Sequence, residues 1–266
     1  MPLAELGGRT LYYERRGTPG APPLLLIQGM AGHHGIWGEP LLRRLEQDFD
    51  LVAYDHRGVG DSTDVPGPFT TADLAADAAA VLDVIGWDSA HVFGISLGGM
   101  VAQELALTSP ERVRALVLGC TYAGGAGSTL DAPGPMRMLE AMNTGDAEAS
   151  VRAAFHANLS PEYTADESRF EPFMTAALSV VVPVELVLRQ AQSAFLHNTS
   201  DRLPALNAPT LVLHGDADDM VRYSNGVQIA KLVPGARLHT FQGVGHLFWW
   251  ERPNETADLI RGHCLR

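Results

Sequence analysis

The sequence has only two cysteines, no long apolar run and no block of basic residues. Cys120 and Cys264 lie far apart and match no metal-ligand spacing, so we expect two buried thiols in a reducing compartment, with a disulfide as the open alternative. The apolar stretch at residues 24–27 is far too short to span a bilayer, and residues 1–17 carry charges where a signal sequence needs an apolar run. These absences predict a cytoplasmic protein with no membrane partner.

The charge that is present is mostly acidic and dispersed along the chain. The 266 residues include 31 acidic and 19 basic side chains, which give a formal net charge of −12. Such a surface repels polyphosphate, so DNA and RNA are not expected partners. Hydrophobic residues make up 46% of the chain, enough for a packed core in one large domain, with or without an insertion.

Short apolar runs bounded by turn residues alternate with longer segments of helical periodicity. This alternation predicts an α/β fold in which a mostly parallel sheet is flanked by helices on both faces. A hairpin of residues 4–6 and 10–14 is expected at the sheet edge. The predicted strands are residues 24–28, 51–54, 90–95, 113–118, 210–214 and 237–241, and the predicted helices are residues 36–46, 71–85, 97–108, 225–232 and 255–264.

The alternation stops between residues 121 and 203. This stretch starts with a glycine-rich run, residues 123–128, and then indicates several short helices broken by prolines. We therefore predict that residues 121–203 form a helical lid, or cap, hinged at its glycines and inserted into a core domain of residues 1–120 and 204–266. The alternative is that these helices simply extend the main core.

Residues 94–98 read Gly-Ile-Ser-Leu-Gly and match the pattern Gly-x-Ser-x-Gly. An apolar run enters the motif and a helix-like segment leaves it, which predicts a strand, a sharp turn and a helix. Such a turn needs strained backbone angles at Ser96, and side chains at Gly94 or Gly98 would collide with the neighbouring elements. Ser96 is therefore the predicted nucleophile. A phosphate-binding turn is the alternative, but neither Gly-x-Gly-x-x-Gly nor Gly-Lys-Ser/Thr occurs there.

A serine hydroxyl is a poor nucleophile unless an adjacent base takes its proton. Of the ten histidines, only His246 lies in a glycine-containing loop after a late strand and before the final helix, so it is the predicted base. No His-x-x-x-His pair exists, which disfavours a zinc hydrolase. The competing histidines, for which structural or substrate-contacting roles are expected, are His33, His34, His56 and His214.

The imidazole needs a carboxylate to fix its tautomer. The loop after the predicted strand 210–214 offers Asp216, Asp218 and Asp219, and it precedes His246, which gives the order Ser, Asp, His expected for a fold of this kind. Asp218 is favoured because it lies three residues after Gly215, late enough for its side chain to clear the sheet. Asp219 is the alternative, and Asp216 is interpreted as a turn residue.

Acyl transfer also needs two donors aimed at the tetrahedral oxygen. The backbone N–H of Leu97, directly after the nucleophile, is the first predicted donor. The second should come from the loop after the first parallel strand, where Gly29 permits a tight turn and leaves the N–H of Met30 as the donor.

With these motifs, the sequence resembles the α/β-hydrolase superfamily, in the branch of small esterases, enol-lactonases and cofactor-free haloperoxidases. In such families the acid is the fourth residue of a Gly-x-x-Asp segment, which implies Asp218, and the donor follows a His-Gly pair, which implies Met30. The sequence departs from the pattern at Gln28, where many members have histidine, and after Val221, where proline is frequent. The matching segments are residues 28–30 with Trp37, 54–62, 94–99, 208–210, 215–221, 245–246 and 251–253.

The resemblance implies a hydrolase that works through an acyl-enzyme and needs no cofactor or metal. A small apolar carboxylic ester is the expected substrate, because the predicted lid is rich in methionine and aromatic residues. Lactone opening, C–C bond hydrolysis and cofactor-free perhydrolysis use the same residues and stay open as alternatives. A slow-turnover receptor for a small ligand is the alternative of another class. The oligomeric state is left open.

Overall fold

The computed structural model describes residues 3–6, 8–142 and 145–266, except the side chains of Met142 and Ala147. The strands are β1 (Leu3–Leu6), β2 (Arg9–Gly17), β3 (Pro23–Ile27), β4 (Asp50–Tyr54), β5 (Ala90–Ile95), β6 (Val113–Gly119), β7 (Thr210–Gly215) and β8 (Arg237–Phe241). In the described ranges they form one eight-stranded sheet with the order β1-β2-β4-β3-β5-β6-β7-β8. Strand β2 pairs antiparallel with β1 and β4, and strands β3 to β8 are parallel.

Helices cover both faces of this sheet. They are α1 (Glu39–Leu45), α2 (Thr71–Ile85), α3 (Leu97–Thr108), α4 (Gly134–Met142), α5 (Ala147–Asn158), α6 (Pro161–Thr164), α7 (Phe170–Leu178), α8 (Val184–Phe195), α9 (Tyr223–Leu232), α10 (Phe248–Glu251) and α11 (Pro253–Cys264). Alternate residues of each strand enter opposite cores: Leu25 and Ile27 of β3 pack with α2, α3 and α9, whereas Leu24 and Leu26 pack with α1, α10 and α11. The predicted α/β fold with a mostly parallel sheet is confirmed.

The predicted elements of the sheet form within one or two residues of their expected bounds, except that β2 extends to Gly17. One predicted helix differs. Residues 36–46 do not form a continuous helix, because a short 3₁₀ turn over His34–Trp37 ends at Gly38 and α1 starts only afterwards. Gly38 has a φ of 74°, outside helical geometry, so the apolar periodicity of this segment spans two separate elements.

Residues 121–203, called here the inserted segment, lie between β6 and β7 and contain α4 to α8. They contact loops at the carboxyl ends of the parallel strands. The N–H of Leu247 donates to the carbonyl of Asn158 at 2.9 Å, and the N–H of Ala31 donates to Oε1 of Gln190 at 2.8 Å. The loops after β3 and β8 therefore touch helices of the inserted segment directly.

The glycine-rich start of the inserted segment is bound to its end. The N–H of Thr199 donates to the carbonyl of Ala123 at 2.7 Å, and a Cβ on Gly124 would collide with the carbonyl oxygen of His197. Gly124 has a φ of 75°. These glycines therefore allow close packing of two backbones, and the expected free hinge is not observed at this point.

Both cysteines are free and buried, as the spacing predicted. Burial raises the pKa of the Cys264 thiol to about 12, so it stays protonated and inert near neutral pH. A helix long and apolar enough to cross a membrane is absent from the described ranges.

Candidate active site

Ser96 lies in a sharp turn between β5 and α3. Its φ of 51° and ψ of −121° fall in a region that favours glycine, and strain of this kind in a non-glycine residue is typical of functional sites. Its N–H donates to the carbonyl of Gly119 in the neighbouring strand at 2.9 Å, which holds the turn against the sheet. The half-buried Ser96 thus stands at the carboxyl end of a central strand and at the N-terminus of a twelve-residue helix.

The glycines on each side of Ser96 have no room for a side chain. A Cβ on Gly94 would collide with the carbonyl oxygen of Gly98, and a Cβ on Gly98 would collide with the carbonyl oxygen of Ile27 in β3. The collisions expected from the motif are therefore real. They involve backbone atoms, which have no freedom to rotate away.

His246 and Asp218 meet at the same edge of the sheet. Nδ1 of His246 lies 2.7 Å from Oδ2 of Asp218, and both residues are buried. The other carboxylate oxygen, Oδ1, accepts hydrogen bonds from the N–H groups of Met220 at 2.8 Å and Val221 at 2.9 Å. The carboxylate is thus held in one orientation by its own loop, and it in turn orients the imidazole of His246.

A second imidazole lies against this carboxylate. Nε2 of the fully buried His214 is 3.1 Å from Oδ2 of Asp218 and 2.9 Å from the carbonyl oxygen of Val221. Burial by itself raises the pKa of Asp218, but the interactions with His246 and His214 outweigh it, so the pKa lies well below the usual value of a carboxyl group. The contacts with both imidazoles therefore favour the ionised form of Asp218, and His214 is one of the groups that hold this carboxylate in place.

The other two carboxylates of the loop are engaged elsewhere. Oδ2 of Asp219 lies 2.6 Å from Arg137 in a partly exposed ion pair. Oδ1 of Asp216 accepts a hydrogen bond from the N–H of Gly243 at 2.6 Å and bridges the loops after β7 and β8. Of the three candidates, Asp218 is thus the carboxylate that contacts His246.

The turn after β3 lies directly against Ser96. A Cβ on Gly29 would stand 3.0 Å from Cβ of Ser96, tighter than an ordinary contact, so glycine favours this close approach. Within the described part of the chain, neither the N–H of Met30 nor that of Leu97 donates to a protein group. Both predicted donors therefore have no protein acceptor among the described residues.

Comparison with known proteins identifies the family of this chain. The sequence profile of the alpha/beta hydrolase fold family matches residues 22–253. The chain belongs to that family. It is 31% identical to a putative carbamate hydrolase, RutD, of Azorhizobium caulinodans over 99% of its own length and 98% of the relative's. It is 29% identical to a putative non-heme bromoperoxidase, BpoC, of Mycobacterium tuberculosis, covering 91% of this chain and 93% of that one.

Among solved structures, the hydrolase is similar to Est816, described as an N-acyl homoserine lactone degrading enzyme. The TM-score is 0.80 and the identity 28%, and the match covers 98% of this chain and 99% of that one. These relatives confirm the branch of the superfamily that the motifs indicated. The protein is therefore a hydrolase of this class, and its relatives act on different small molecules.

The loop that carries His246 is held by a residue whose role the sequence did not reveal. Oε1 of Glu251 accepts hydrogen bonds from the N–H groups of Gly245 at 2.9 Å and Ser160 at 2.8 Å. The Glu251 side chain is buried, and Ser160 belongs to the inserted segment, so one carboxylate joins the base loop to that segment. In the sequence, Glu251 stands out only as part of the matching segment 251–253. Its place in an otherwise apolar run after His246 was the available signal.

The competing histidines of this hydrolase have other partners. Nδ1 of His34 lies 2.9 Å from Asp55, and Nε2 of His56 lies 2.9 Å from the carbonyl oxygen of Gln28. His33 is buried, and its Nδ1 accepts a hydrogen bond from the N–H of Gly35. Among the described residues, histidine, cysteine, aspartate and glutamate form no cluster that would hold a metal ion.

Proposed function

We propose that this protein is a serine hydrolase that cleaves small apolar carboxylic esters through an acyl-enzyme. The observation that carries the proposal is the strained turn at Ser96, which lies at the same edge of the parallel sheet as the oriented, buried His246–Asp218 pair. A serine in such a strained turn at a helix N-terminus presents its hydroxyl for attack on a carbonyl carbon. An imidazole oriented by an ionised carboxylate is the base that such a serine needs.

In the proposed mechanism, His246 takes the proton of Ser96 as Oγ attacks the ester carbonyl carbon. The carbonyl oxygen becomes negatively charged and accepts hydrogen bonds from the N–H groups of Met30 and Leu97, supported by the positive end of α3. The tetrahedral intermediate collapses, and His246 gives its proton to the departing alcohol. Water then attacks the acyl-enzyme by the same route and releases the acid.

We further propose that the inserted segment, residues 121–203, acts as a cap over a core domain of residues 1–120 and 204–266. Hydrogen bonds of the segment to the loops that carry Met30 and His246 support this arrangement. A cap excludes water from the reacting carbonyl, which strengthens the oxyanion contacts. It also offers apolar side chains to the acyl group.

The acyl pocket is testable with esters of increasing chain length. We expect kcat/KM to rise about tenfold from p-nitrophenyl acetate to the butyrate, because each buried methylene contributes about 0.8 kcal/mol. Bulky triglycerides should be poor substrates. The measurement is initial rate against concentration for each ester, with Ser96→Ala as the blank. Equal kcat/KM for all chain lengths would remove the acyl pocket from the proposal and leave the triad in place.

The pH dependence of hydrolysis tests the roles of His246 and Asp218 independently. We expect kcat/KM to fall about tenfold per pH unit on the acidic side, because protonated His246 cannot accept the proton of Ser96. Asp218 should add no second step, since its pairing with His246 and His214 lowers its pKa and keeps it ionised throughout this range. Rates on p-nitrophenyl butyrate from about pH 4 to about pH 9 test this. A flat profile would contradict the role of His246, and a slope near two would contradict that of Asp218.

Lactone or carbamate hydrolysis is the second candidate function. It is favoured by the relatives named as a carbamate hydrolase and as a lactone-degrading enzyme, both matched over nearly the whole chain. A panel of p-nitrophenyl esters, lactones and carbamates compared by kcat/KM distinguishes the three. A ligand that raises the melting temperature without measurable turnover would instead favour a receptor.

A further inference from the structure

In the turn that carries Met30, the N–H groups of the residues before and after Met30 donate to glutamine side-chain oxygens. The N–H of Gly29 donates to Oε1 of Gln28 at 2.9 Å, and the N–H of Ala31 donates to Oε1 of Gln190 at 2.8 Å. The next N–H, that of Gly32, donates to the carbonyl of Gly29 at 3.1 Å. In this described turn, Met30 is thus left as the residue whose N–H is free.

Gln190 belongs to the middle of α8 in the inserted segment and is fully buried. It lies 159 residues from Ala31, so this contact exists only when α8 is packed on the turn. Ala31 has a φ of 57°, a conformation that disfavours residues with a Cβ, so the turn needs stabilisation from outside itself. Since Gln190 supplies an acceptor to the strained residue, it is suited to hold the turn in this form.

We propose that Gln190 is a positioning residue that holds the N–H of Met30 toward the reacting oxygen and thereby couples the inserted segment to the oxyanion hole. This inference rests on the proposed serine-hydrolase function. Gln190 acts through Ala31 and not on the substrate. The acceptor belongs to the inserted segment and the donor turn to the core, so the hole is complete only when α8 is seated.

This coupling gives the inserted segment a role beyond covering the substrate. If α8 moves away, Ala31 loses its acceptor and the strained turn is free to relax, which displaces Met30. Leu97 would still be in place, because it is held by α3 and the sheet. Loss of the Gln190 contact should therefore weaken the oxyanion hole by one donor instead of destroying the site.

The test compares Gln190→Met, which has a side chain of similar length without an acceptor oxygen, with Gln192→Met on the exposed face of the same helix. We expect Gln190→Met to lower kcat about tenfold with KM within about twofold of wild type, because the contact stabilises the tetrahedral state and not the bound ester. The rate at which a fluorophosphonate labels Ser96 should fall by a similar factor. Gln192→Met should leave both rates unchanged.

The labelling rate keeps this test separate from the ester proposal. If the wild type labels at Ser96 but hydrolyses no ester, the ester function fails, and the labelling rates of the two variants still decide the role of Gln190. Labelling and kcat equal to wild type in Gln190→Met would overturn the inference, as would an absence of labelling at Ser96 in the wild type. Gln190→Asn, whose oxygen is one methylene too short, replaces Gln190→Met if the latter does not fold. If kcat and the labelling rate fall only in proportion to the fraction of unfolded protein in a thermal melt, Gln190 has a structural role and its positioning role is overturned.

Discussion

Replacing Ser96 by alanine is expected to reduce ester hydrolysis by about 10⁵-fold or more and to leave the melting temperature nearly unchanged. Activity is lost because Oγ is the atom that forms the acyl-enzyme. Stability is retained because the hydrogen bonds described for Ser96 use its backbone: its N–H donates to Gly119, and its carbonyl accepts from Thr121 at 2.7 Å. Alanine at this position keeps both bonds and the same backbone strain.

The measurement has two parts. The rate on p-nitrophenyl butyrate is compared for the wild type, Ser96→Ala and Ser168→Ala, an exposed serine of the inserted segment that serves as the matched control. A fluorophosphonate followed by peptide mass spectrometry should label the wild type at Ser96 alone. Hydrolysis that persists in Ser96→Ala, or labelling at another serine, would contradict the assignment of the nucleophile.

The second large effect is expected at the acid. Asp218→Asn should lower kcat about 10⁴-fold, because an amide in place of the carboxylate favours the wrong tautomer of His246 and leaves its imidazolium without a counter-charge. The contact at 2.7 Å and the burial of both groups mean that water cannot substitute for the lost oxygen. KM should change little, since Asp218 does not face the ester in the proposed mechanism.

Asp219→Asn is the matched control for this substitution. Asp219 neighbours Asp218 in the same loop, but it pairs with Arg137 in a partly exposed ion pair, so its loss should change kcat by less than about twofold. Circular dichroism and thermal melts of both variants separate catalytic loss from unfolding. If Asp219→Asn abolished activity and Asp218→Asn did not, the triad would survive with the other acid.

The sequence was sufficient for the parts of this protein that depend on local pattern. Alternating apolar runs and helical periodicity predicted the parallel strands and the flanking helices, because burial on both faces of a sheet imposes that alternation along the chain. The turn at Ser96 was equally predictable, since Gly94 and Gly98 are required wherever a strand and a helix meet so closely. The prediction of one helix over residues 36–46 was wrong. The spacing of apolar residues continues through Gly38, where the backbone in fact leaves helical geometry.

Only the tertiary structure decided which side chains from distant segments touch. The sequence favoured Asp218 and left Asp219 as the alternative, and the packing of the loops after β7 and β8 decides that Asp218 contacts His246. The contact of Gln190 with Ala31 had no sequence signal, because it joins two segments that meet through the packing of α8. Local patterns reflect short-range sterics and burial, whereas a hydrogen bond across more than a hundred residues depends on where the whole fold places its two partners.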